Sequence, residues 1–357
     1  MLKEIIRPLT KWYQSNKRVL PWRADRNPYA IWVSEIMLQQ TRVEAVKPYF
    51  RRFVSELPNI QSLAECPEER LLKLWEGLGY YNRVRNMQKA AVTVMEKYGG
   101  QLPADYEELK KLSGIGSYTA GAIASIAYGI PVPAVDGNVL RVLARIREDD
   151  RDISRQAVKG QVEKELTDIM PSREPGEFNQ ALMELGAVIC VPGGPPRCGE
   201  CPLQSLCRAH LSGKEQEFPV KTGKKERRTE QHTILLIQDG ERVVLRKRPP
   251  RGLLAGLYEF PNLPGHLTRQ EALNWVQEAG MLPLHIQELE HAKHIFSHVE
   301  WHMIGYAIRV AAMEGMETEG LILAETELAE KQYPVPSAYE AYAGYVRMNL
   351  GWKEKSK

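Results

Sequence analysis

Four cysteines in one segment are the residues whose type and spacing point most directly to chemistry. Cys190, Cys198, Cys201 and Cys207 fall within eighteen residues, and the loops between them are rich in proline and glycine. Four thiolates gathered by short loops form a closed site for a metal ion or a cluster. Zinc sites usually contain two CxxC pairs, whereas here one CxxC stands between two outer cysteines. The spacing favours a cubane iron–sulfur cluster over zinc, and a disulfide framework is the third alternative.

Two carboxyl groups have surroundings that suit acid–base chemistry. Glu35 has apolar residues on both sides in "YAIWVSEIMLQQ", so a helix there is buried nearly all round. Burial raises the pKa of a carboxyl group, which suits a general acid. The alternative is a buried glutamate paired with Arg23 or Arg42. Asp136 precedes the apolar-periodic segment "NVLRVLARI", where an aspartate N-cap is an adequate explanation by itself.

A glycine-rich turn separates two predicted helices in "LSGIGSYTAGAIASIAYG", residues 112–129. Gly114 and Gly116 let backbone N–H groups at the start of the second helix approach an anion, and the helix dipole favours negative charge there. The pattern matches a helix-hairpin-helix element that binds a DNA phosphate without reading bases. A plain glycine-rich loop is the alternative.

The elements that must position these residues change in kind along the chain. A length of 357 residues predicts two domains. Periodic apolar stretches predict an all-α domain over residues 1–220, followed by a basic linker at 221–231 and an α+β domain at 232–357. The elements predicted for the second domain are strands at 232–237, 241–248 and 298–310, with a turn at Asp239-Gly240, and helices near 268–280 and 336–349.

Composition excludes few classes of function. The apolar fraction of 43% and the charged fraction of 26% are those of an ordinary globular protein, and a net charge of +3 does not by itself indicate a nucleic-acid partner. The cluster "KTGKKERR" at 221–228 is typical of a solvated linker or a phosphate-contacting tether. We expect a monomeric cytoplasmic protein of bacterial type, with no membrane contact, because neither a secretory signal nor a long apolar run is found.

Segments spread over the first domain resemble, in order, the MutY family of adenine DNA glycosylases, within the endonuclease III-like superfamily. The cysteine spacing resembles that family's cluster loop, with one additional residue in the first gap. The resemblance implies a helix-hairpin-helix glycosylase domain whose four cysteines, in the loop 190–207, hold a [4Fe-4S] cluster. The matching segments are "LPWR" (20–23), "VSEIMLQQTRVE" (33–44), "EGLGYYNRVRN" (76–86), "AVDGNVLRV" (134–142) and "FNQALMELGA" (178–187).

The resemblance also implies catalytic roles. Glu35 maps onto the family's catalytic acid, which protonates adenine N7, and Asp136 maps onto the stabiliser of the oxocarbenium-like sugar, with Asn138 beside it. Tyr118 stands where bifunctional relatives carry the lysine that forms a Schiff base, and a phenol cannot form an imine. The resemblance places Trp22, Arg23 and Gln180 in the adenine pocket. It makes Gln40 and Tyr80 candidates for the wedge that fills the gap left by the extruded base, with Leu78 beside them, and Thr41 a further DNA-binding residue.

The C-terminal domain resembles the Nudix-like domain of the same family. The segments "LLAGLYEFP" (253–261) and "HIFSHVEWHM" (294–303) carry the resemblance. It implies that Phe296, Ser297 and His298 lie on the loop that reads 8-oxoguanine, where Ser297 can bond to the N7–H that oxidation creates. A Nudix hydrolase holds magnesium with a glycine-led helix dense in glutamate and arginine, and "TRQEALNWVQEAG" does not supply that set, so the domain is expected to bind and not hydrolyse.

Together these features imply a monofunctional adenine DNA glycosylase that acts on adenine opposite 8-oxoguanine or guanine in duplex DNA. Two alternatives stay open at this point. One is a bifunctional endonuclease III-like glycosylase and lyase, against which Tyr118 argues. The other is a mismatch-binding protein with an inactive site.

Overall fold

The described part of the chain divides into two units. The structure is a computed structural model, and it describes residues 2–223, 226–313 and 320–351. Lys224 and Lys225, in the predicted basic linker, lie outside the described residues. No helix in the described part of the chain has the length and apolarity needed to cross a membrane. The first unit comprises Met1–Glu65 and Asn86–Gly223, and the second comprises Cys66–Arg85 and Lys224–Lys357.

The first unit is all helical, as predicted, and turn residues delimit its helices. Asn27 caps α2 by accepting hydrogen bonds from the N–H groups of Tyr29 and Ala30, and Gly129 ends α8 with φ +69°. Short 3-10 helices form at Leu2–Ile5, Pro21–Arg23, Cys198–Glu200 and Gln204–Leu206. The α-helices up to residue 223 are α1 Ile6–Asn16, α2 Pro28–Leu38, α3 Val43–Glu56, α4 Ile60–Glu65, α5 Glu68–Leu74, α6 Asn82–Tyr98, α7 Tyr106–Lys110, α8 Ser117–Tyr128, α9 Gly137–Arg147, α10 Gln156–Thr167, α11 Pro175–Val188 and α12 Arg208–Leu211. Of these, α5 and the start of α6 group with the second unit.

Helix α11 packs against α1, α8 and α9, and glycines in α8 and α11 permit close contacts with residues 133–138. A Cβ on Gly121 of α8 would lie 2.1 Å from the carbonyl oxygen of Pro133, and one on Gly186 of α11 would lie 2.6 Å from Cβ of Asn138. Asn179 of α11 accepts a hydrogen bond of 3.1 Å from the N–H of Ala134. The segment that leads into α9 is therefore fixed by both neighbouring helices.

The second unit is an α+β fold around a mixed sheet. The predicted hairpin and the predicted strand at 298–310 are confirmed as β1, β2 and β6, and the helix near 268–280 is confirmed as α13. The predicted helix at 336–349 is instead broken into short pieces, a 3-10 helix at Ser337–Tyr339, an α-helical turn at Glu340–Ala343 and a 3-10 helix at Gly344–Val346. The elements are β1 Arg228–Asp239, β2 Arg242–Lys247, β3 Tyr258–Glu259, β4 Asn262–Pro264, α13 Arg269–Glu278, β5 Pro283–Ile295, β6 Val299–Val310, β7 Leu321–Glu325, α14 Thr326–Gln332 and α15 Glu340–Ala343.

The sheet of the second unit has the strand order β3-β2-β1-β6-β5, with β4 also pairing with β1 and β7 with β2. Strands β1 and β6 run parallel, in the register Ile234 with Gly305, and the other pairs are antiparallel. One face packs Trp301, Phe260 and Tyr339 into a core, and the other face packs against α13. Residues 66–85, predicted as part of the helical domain, group with this unit.

The approach of α8 to residue 133 predicts a large effect of one added methyl group. Gly121→Ala is expected to lower the free energy of unfolding by about 3 kcal/mol, because a backbone carbonyl cannot rotate away as a side chain can. The matched control is Gly160→Ala in α10, where a Cβ meets no atom within 4 Å. This control should raise the same free energy by about 0.5–1 kcal/mol. Urea denaturation measures both, and equal stability of the two variants would contradict the packing described.

Candidate active site

A cavity of about 840 Å³ lies within the first unit. Helices α2, α8, α9 and α11 line it, and Lys221 from the predicted linker also reaches its wall. The structure thereby brings together residues that are far apart in the sequence and that the sequence analysis singled out separately. They are Trp22, Arg23, Glu35, Gln40, Thr41, Tyr118, Asp136, Asn138 and Gln180.

Glu35 is buried in the wall of this cavity, as predicted, with 7% of its surface exposed. Burial raises the pKa of its carboxyl group from 4.5 to about 7, and the negative charge of Asp136 acts in the same direction. The hydroxyl of Tyr118 donates a short hydrogen bond to Oε2 of Glu35, which opposes the rise. The carboxyl group therefore keeps its proton to a higher pH than an exposed glutamate does, which suits a general acid.

Asp136 is the N-cap of α9, as the sequence predicts. Its Oδ1 accepts a hydrogen bond of 2.8 Å from the N–H of Val139, and its Oδ2 accepts one of 2.7 Å from Nδ2 of Asn138. Burial raises the pKa of Asp136, while these hydrogen bonds lower it. Arg141 in turn donates to Oδ1 of Asn138 at 2.9 Å and to the carbonyl of Cys190 at 2.8 Å. The side chain of Asp136 is thus fixed on the same cavity as Glu35.

Tyr118 is the second residue of α8, directly after the glycine turn. Its hydroxyl lies 3.7 Å from Sδ of Met183, in addition to the hydrogen bond with Glu35. Burial raises the pKa of Tyr118 well above 10.0, and the nearby carboxyl groups raise it further. The group is a neutral phenol that can orient Glu35, and it offers no amine to a sugar.

An ion-pair network in the wall of the cavity, formed by one glutamate and two arginines, was not predicted. Glu184 of α11 accepts hydrogen bonds from Nε of Arg18 at 2.7 Å and from Nη2 of Arg23 at 2.9 Å. Burial would raise the pKa of Glu184, but the two arginines lower it to about 2. Arg23 is therefore paired with Glu184, whereas the alternative in the sequence analysis paired it with Glu35. The only sequence signal was a single acidic residue in the apolar stretch "QALMELGA".

The aromatic and amide groups predicted for the adenine pocket have partners in the protein. Trp22 is 7% exposed and packs edge-on against Phe50, with 5.4 Å between ring centroids. Oε1 of Gln180 accepts a hydrogen bond of 3.0 Å from the hydroxyl of Tyr13, and its Nε2 donates one of 3.3 Å to the carbonyl of Gly176. Both ends of this amide are engaged, so a base edge would have to exchange with these partners.

The predicted wedge residues differ in exposure. Gln40 and Tyr80 are both exposed and both have a left-handed backbone, with φ of +59° and +47°. They belong to different units. Leu78 is only 6% exposed and lies between Gly77 and Gly79, which both have a left-handed backbone. Backbone strain at exposed residues of this kind is characteristic of functional sites.

The glycine turn before α8 has one position that requires glycine. Gly114 has φ +76°, and a Cβ there would lie 2.8 Å from Cβ of Asn86. Gly116 takes the N-cap position of α8 with φ −88°, where a Cβ would meet open space. Glycine has no side-chain acceptor at this position, so the first N–H groups of α8 are left to an external acceptor.

The cysteine loop brings its thiols to one small cavity, whose walls include Cys190, Cys198, Cys201 and Cys207. All four are free thiols, so the disulfide alternative has no support among the described residues. Burial raises the pKa of Cys201 to about 12, and the other three thiols act in the same direction. Nη1 of Arg145 lies 3.2 Å from Sγ of Cys190. Four converging thiols beside a cation form a donor set that fits a cluster or a metal ion.

The residues predicted to read the lesion lie in the tight turn between β5 and β6. The N–H of Phe296 donates to the carbonyl of Val299 at 2.8 Å, and Oγ of Ser297 lies 3.2 Å from Nδ1 of His298. Phe296 is half-buried against Trp301, with 4.9 Å between ring centroids, whereas Ser297 and His298 are exposed. The turn thus exposes the polar side chains of Ser297 and His298 next to Phe296, which packs on Trp301.

Comparison with known proteins identifies the family. The profile described as "HhH-GPD superfamily base excision DNA repair protein" matches residues 33–171, and the profile described as "NUDIX domain" matches residues 232–343. The adenine DNA glycosylase of Homo sapiens is 38% identical over 367 residues, which cover 86% of this chain and 66% of that protein. The chain thus spans about two thirds of the length of the human relative.

Two further comparisons cover more of the matched protein. The adenine DNA glycosylase of Buchnera aphidicola subsp. Baizongia pistaciae (strain Bp) is 36% identical over 293 residues, or 82% of each chain. A solved endonuclease III–DNA complex is 29% identical with a TM-score of 0.50, covering 60% of this chain and 98% of that one. The helical unit matches the first profile and the α+β unit matches the second. Sequence identity to the adenine DNA glycosylases exceeds 30% over most of the chain, so the protein belongs to the adenine DNA glycosylase family.

Proposed function

We propose that this protein is a monofunctional adenine DNA glycosylase, which hydrolyses the N-glycosidic bond of adenine mispaired with 8-oxoguanine or guanine in duplex DNA. The observation that carries the proposal is the carboxyl group of Glu35, buried with its pKa raised to about 7 on the same cavity as Asp136. Two carboxyl groups in different surroundings can divide acid and stabiliser roles. We further propose that it acts as a monomer.

The proposed reaction begins with an extruded adenine in the cavity. Glu35 gives its proton to N7 as the bond between C1′ and N9 breaks, and the electrons of that bond remain on adenine. Asp136 stabilises the positive charge that develops on the sugar, and Asn138 holds its carboxylate in place. Water then adds to C1′ and returns a proton to Glu35, which completes the hydrolysis.

Strand cleavage through a Schiff base at residue 118 is not expected. Tyr118 occupies the position that resembles the lyase lysine, and its phenol already donates to Glu35. A phenol has no nitrogen to attack C1′, so the abasic strand would leave intact. Trapping with borohydride should therefore give no covalent adduct.

The proposed DNA contacts follow from exposure and backbone geometry. Gln40 and Tyr80 are exposed and would enter the stack when adenine leaves it, with Thr41 close to the first of them. The N–H groups after Gly114 and Gly116 would bind a phosphate. Trp22, Arg23 and Gln180 would bound the adenine. On the second unit, Ser297 and His298, supported by Phe296, would recognise 8-oxoguanine through its N7–H.

The cysteine loop is proposed to hold a [4Fe-4S] cluster through Cys190, Cys198, Cys201 and Cys207. Support comes from the four free thiols on one cavity and from Arg145, whose charge offsets that of thiolates. When bound, the cluster would supply cross-links that fix the loop 190–207, since four protein ligands leave no position for substrate.

Removing the proton donor tests the central role. Glu35→Gln is expected to slow single-turnover excision from an A:8-oxoguanine duplex by at least about 100-fold, because an amide cannot supply the proton. Duplex binding should stay within about two-fold, since the shape of the side chain is kept. The control is Glu65→Gln, an exposed residue at the end of α4. Alkaline cleavage at the abasic site measures excision, and full activity of Glu35→Gln would remove Glu35 from the mechanism.

The raised pKa of Glu35 also predicts a pH dependence of stability. The native state holds this proton up to about pH 7, while the unfolded chain loses it near 4.5. The free energy of unfolding of the wild type should therefore fall relative to Glu35→Gln by about 3 kcal/mol as the pH rises from about 5 to about 8. Urea denaturation at several pH values measures the difference. A difference that is independent of pH would show that Glu35 is not desolvated.

Removing a thiol tests the cluster. Cys198→Ser is expected to lose iron and acid-labile sulfide, to lose visible absorption and to unfold at lower urea. Cys66→Ala is the control, because Cys66 is buried elsewhere in the chain and should leave the iron content unchanged. Wild-type protein that carries zinc in place of iron and sulfide would contradict the cluster and favour the zinc alternative.

A further inference from the structure

The loop between Trp75 and Asn82 presents an exposed aromatic ring on a strained backbone. Tyr80 is 48% exposed and has φ +47°, and Gly77 and Gly79 before it have φ +98° and +67°. A left-handed backbone is unfavourable for an aromatic residue and persists only where surrounding contacts fix it. The apolar-periodic sequence continues to Tyr80, yet α5 ends at residue 74. Specific contacts must therefore hold this loop.

Arg83, in the first turn of α6, makes such contacts. Its Nη2 donates hydrogen bonds of 3.0 Å to the carbonyl oxygens of Leu78 and Gly79, which belong to the two residues before Tyr80. Its guanidinium carbon lies 5.6 Å from the ring centroid of Tyr80 and 5.3 Å from that of Trp75. One side chain therefore binds both the backbone of the loop and the exposed ring.

The chemistry of arginine suits this position. Burial lowers the pKa of Arg83 to about 10, so the guanidinium stays charged at neutral pH although it is poorly solvated. Desolvation strengthens the attraction between a cation and an aromatic face. The planar guanidinium group can bind two carbonyl groups and two aromatic rings at once. The compact ammonium group of a lysine cannot make this set of contacts.

The other end of the loop is also fixed within the second unit. Glu76, 3% exposed, accepts a hydrogen bond of 2.6 Å from Nζ of Lys73 and one of 2.8 Å from the N–H of Val335. Lys73 also donates to the carbonyl of Tyr333 at 3.1 Å. Residues 77–80 are thereby held from both sides.

We propose that Arg83 is a positioning residue, which holds the Tyr80 ring in one outward orientation so that the ring can enter the DNA stack opposite an extruded base. The inference deepens the proposed glycosylase function and rests on it. An aromatic side chain that is already ordered loses less conformational entropy when it stacks on a base. Arg83 acts through Tyr80 and need not contact DNA.

A double-mutant cycle tests this assignment. Arg83→Lys is expected to slow single-turnover excision from an A:8-oxoguanine duplex by about 10-fold, because Tyr80 loses its fixed orientation. Tyr80→Ala should slow excision at least as much. In the Tyr80→Ala background, Arg83→Lys should add no further loss, since the residue through which it acts is gone. Losses that multiply in the double variant would overturn the proposal.

A second readout separates this inference from the proposed function. A 2-aminopurine placed beside the 8-oxoguanine reports insertion into the stack without excision, and its fluorescence should rise less with Arg83→Lys than with wild type. An equal rise would overturn the inference. A wild type that raises the fluorescence but never releases adenine would instead contradict the proposed function.

The matched control is Arg85→Lys on the same helix. Arg85 has its own partners, Glu68 and the carbonyl of Ala255, and excision should stay within about two-fold of wild type. If Arg83→Lys does not fold, Arg83→Gln keeps an amide donor for the two carbonyls and enters the same cycle. A loss of excision by Arg85→Lys equal to that of Arg83→Lys would indicate a general effect of α6 and overturn the specific role.

Discussion

The hydrogen bond between Tyr118 and Glu35 joins two side chains that α8 and α2 bury together at the wall of one cavity. Helix α2 is apolar nearly all round, so a carboxyl group at its centre is removed from water, and its proton becomes harder to lose. Asp136 meets the same cavity from the start of α9, and its negative charge makes ionisation of Glu35 less favourable. Acid chemistry at neutral pH thus depends on helix packing that keeps water from one residue.

The packing around α9 shows how the fold meets this requirement. Gly121 lets α8 touch the carbonyl of Pro133, and Asn179 of α11 binds the next peptide group, so the chain enters α9 along a fixed path. Asp136 then caps the helix and Asn138 fixes its second oxygen. The position of the Asp136 carboxylate is therefore fixed by the contacts among three helices, and its side chain has little freedom to rotate.

The local sequence pattern was sufficient to predict a residue's surroundings where the residues that determine them are close in sequence. The apolar residues around Glu35 predicted its burial, and Asp136 before a periodic segment predicted the cap. Tyr118 as the partner of Glu35 could not be derived, because 83 residues separate the two and only the packing of α2 on α8 joins them. Strand β5 was missed for a related reason, since "PLHIQELEHAKHI" is rich in residues that favour helices and pairing with β6 overrides that preference.

The most direct test of the account is a titration of the Glu35 carboxyl group itself, by difference infrared spectroscopy of wild type against Glu35→Gln. We expect a carbonyl band of a protonated carboxyl group that disappears with a midpoint near pH 7, because burial favours the neutral form. A midpoint near the ordinary value of 4.5 would show that the side chain is solvated, and the assignment of Glu35 as the proton donor at neutral pH would then fail.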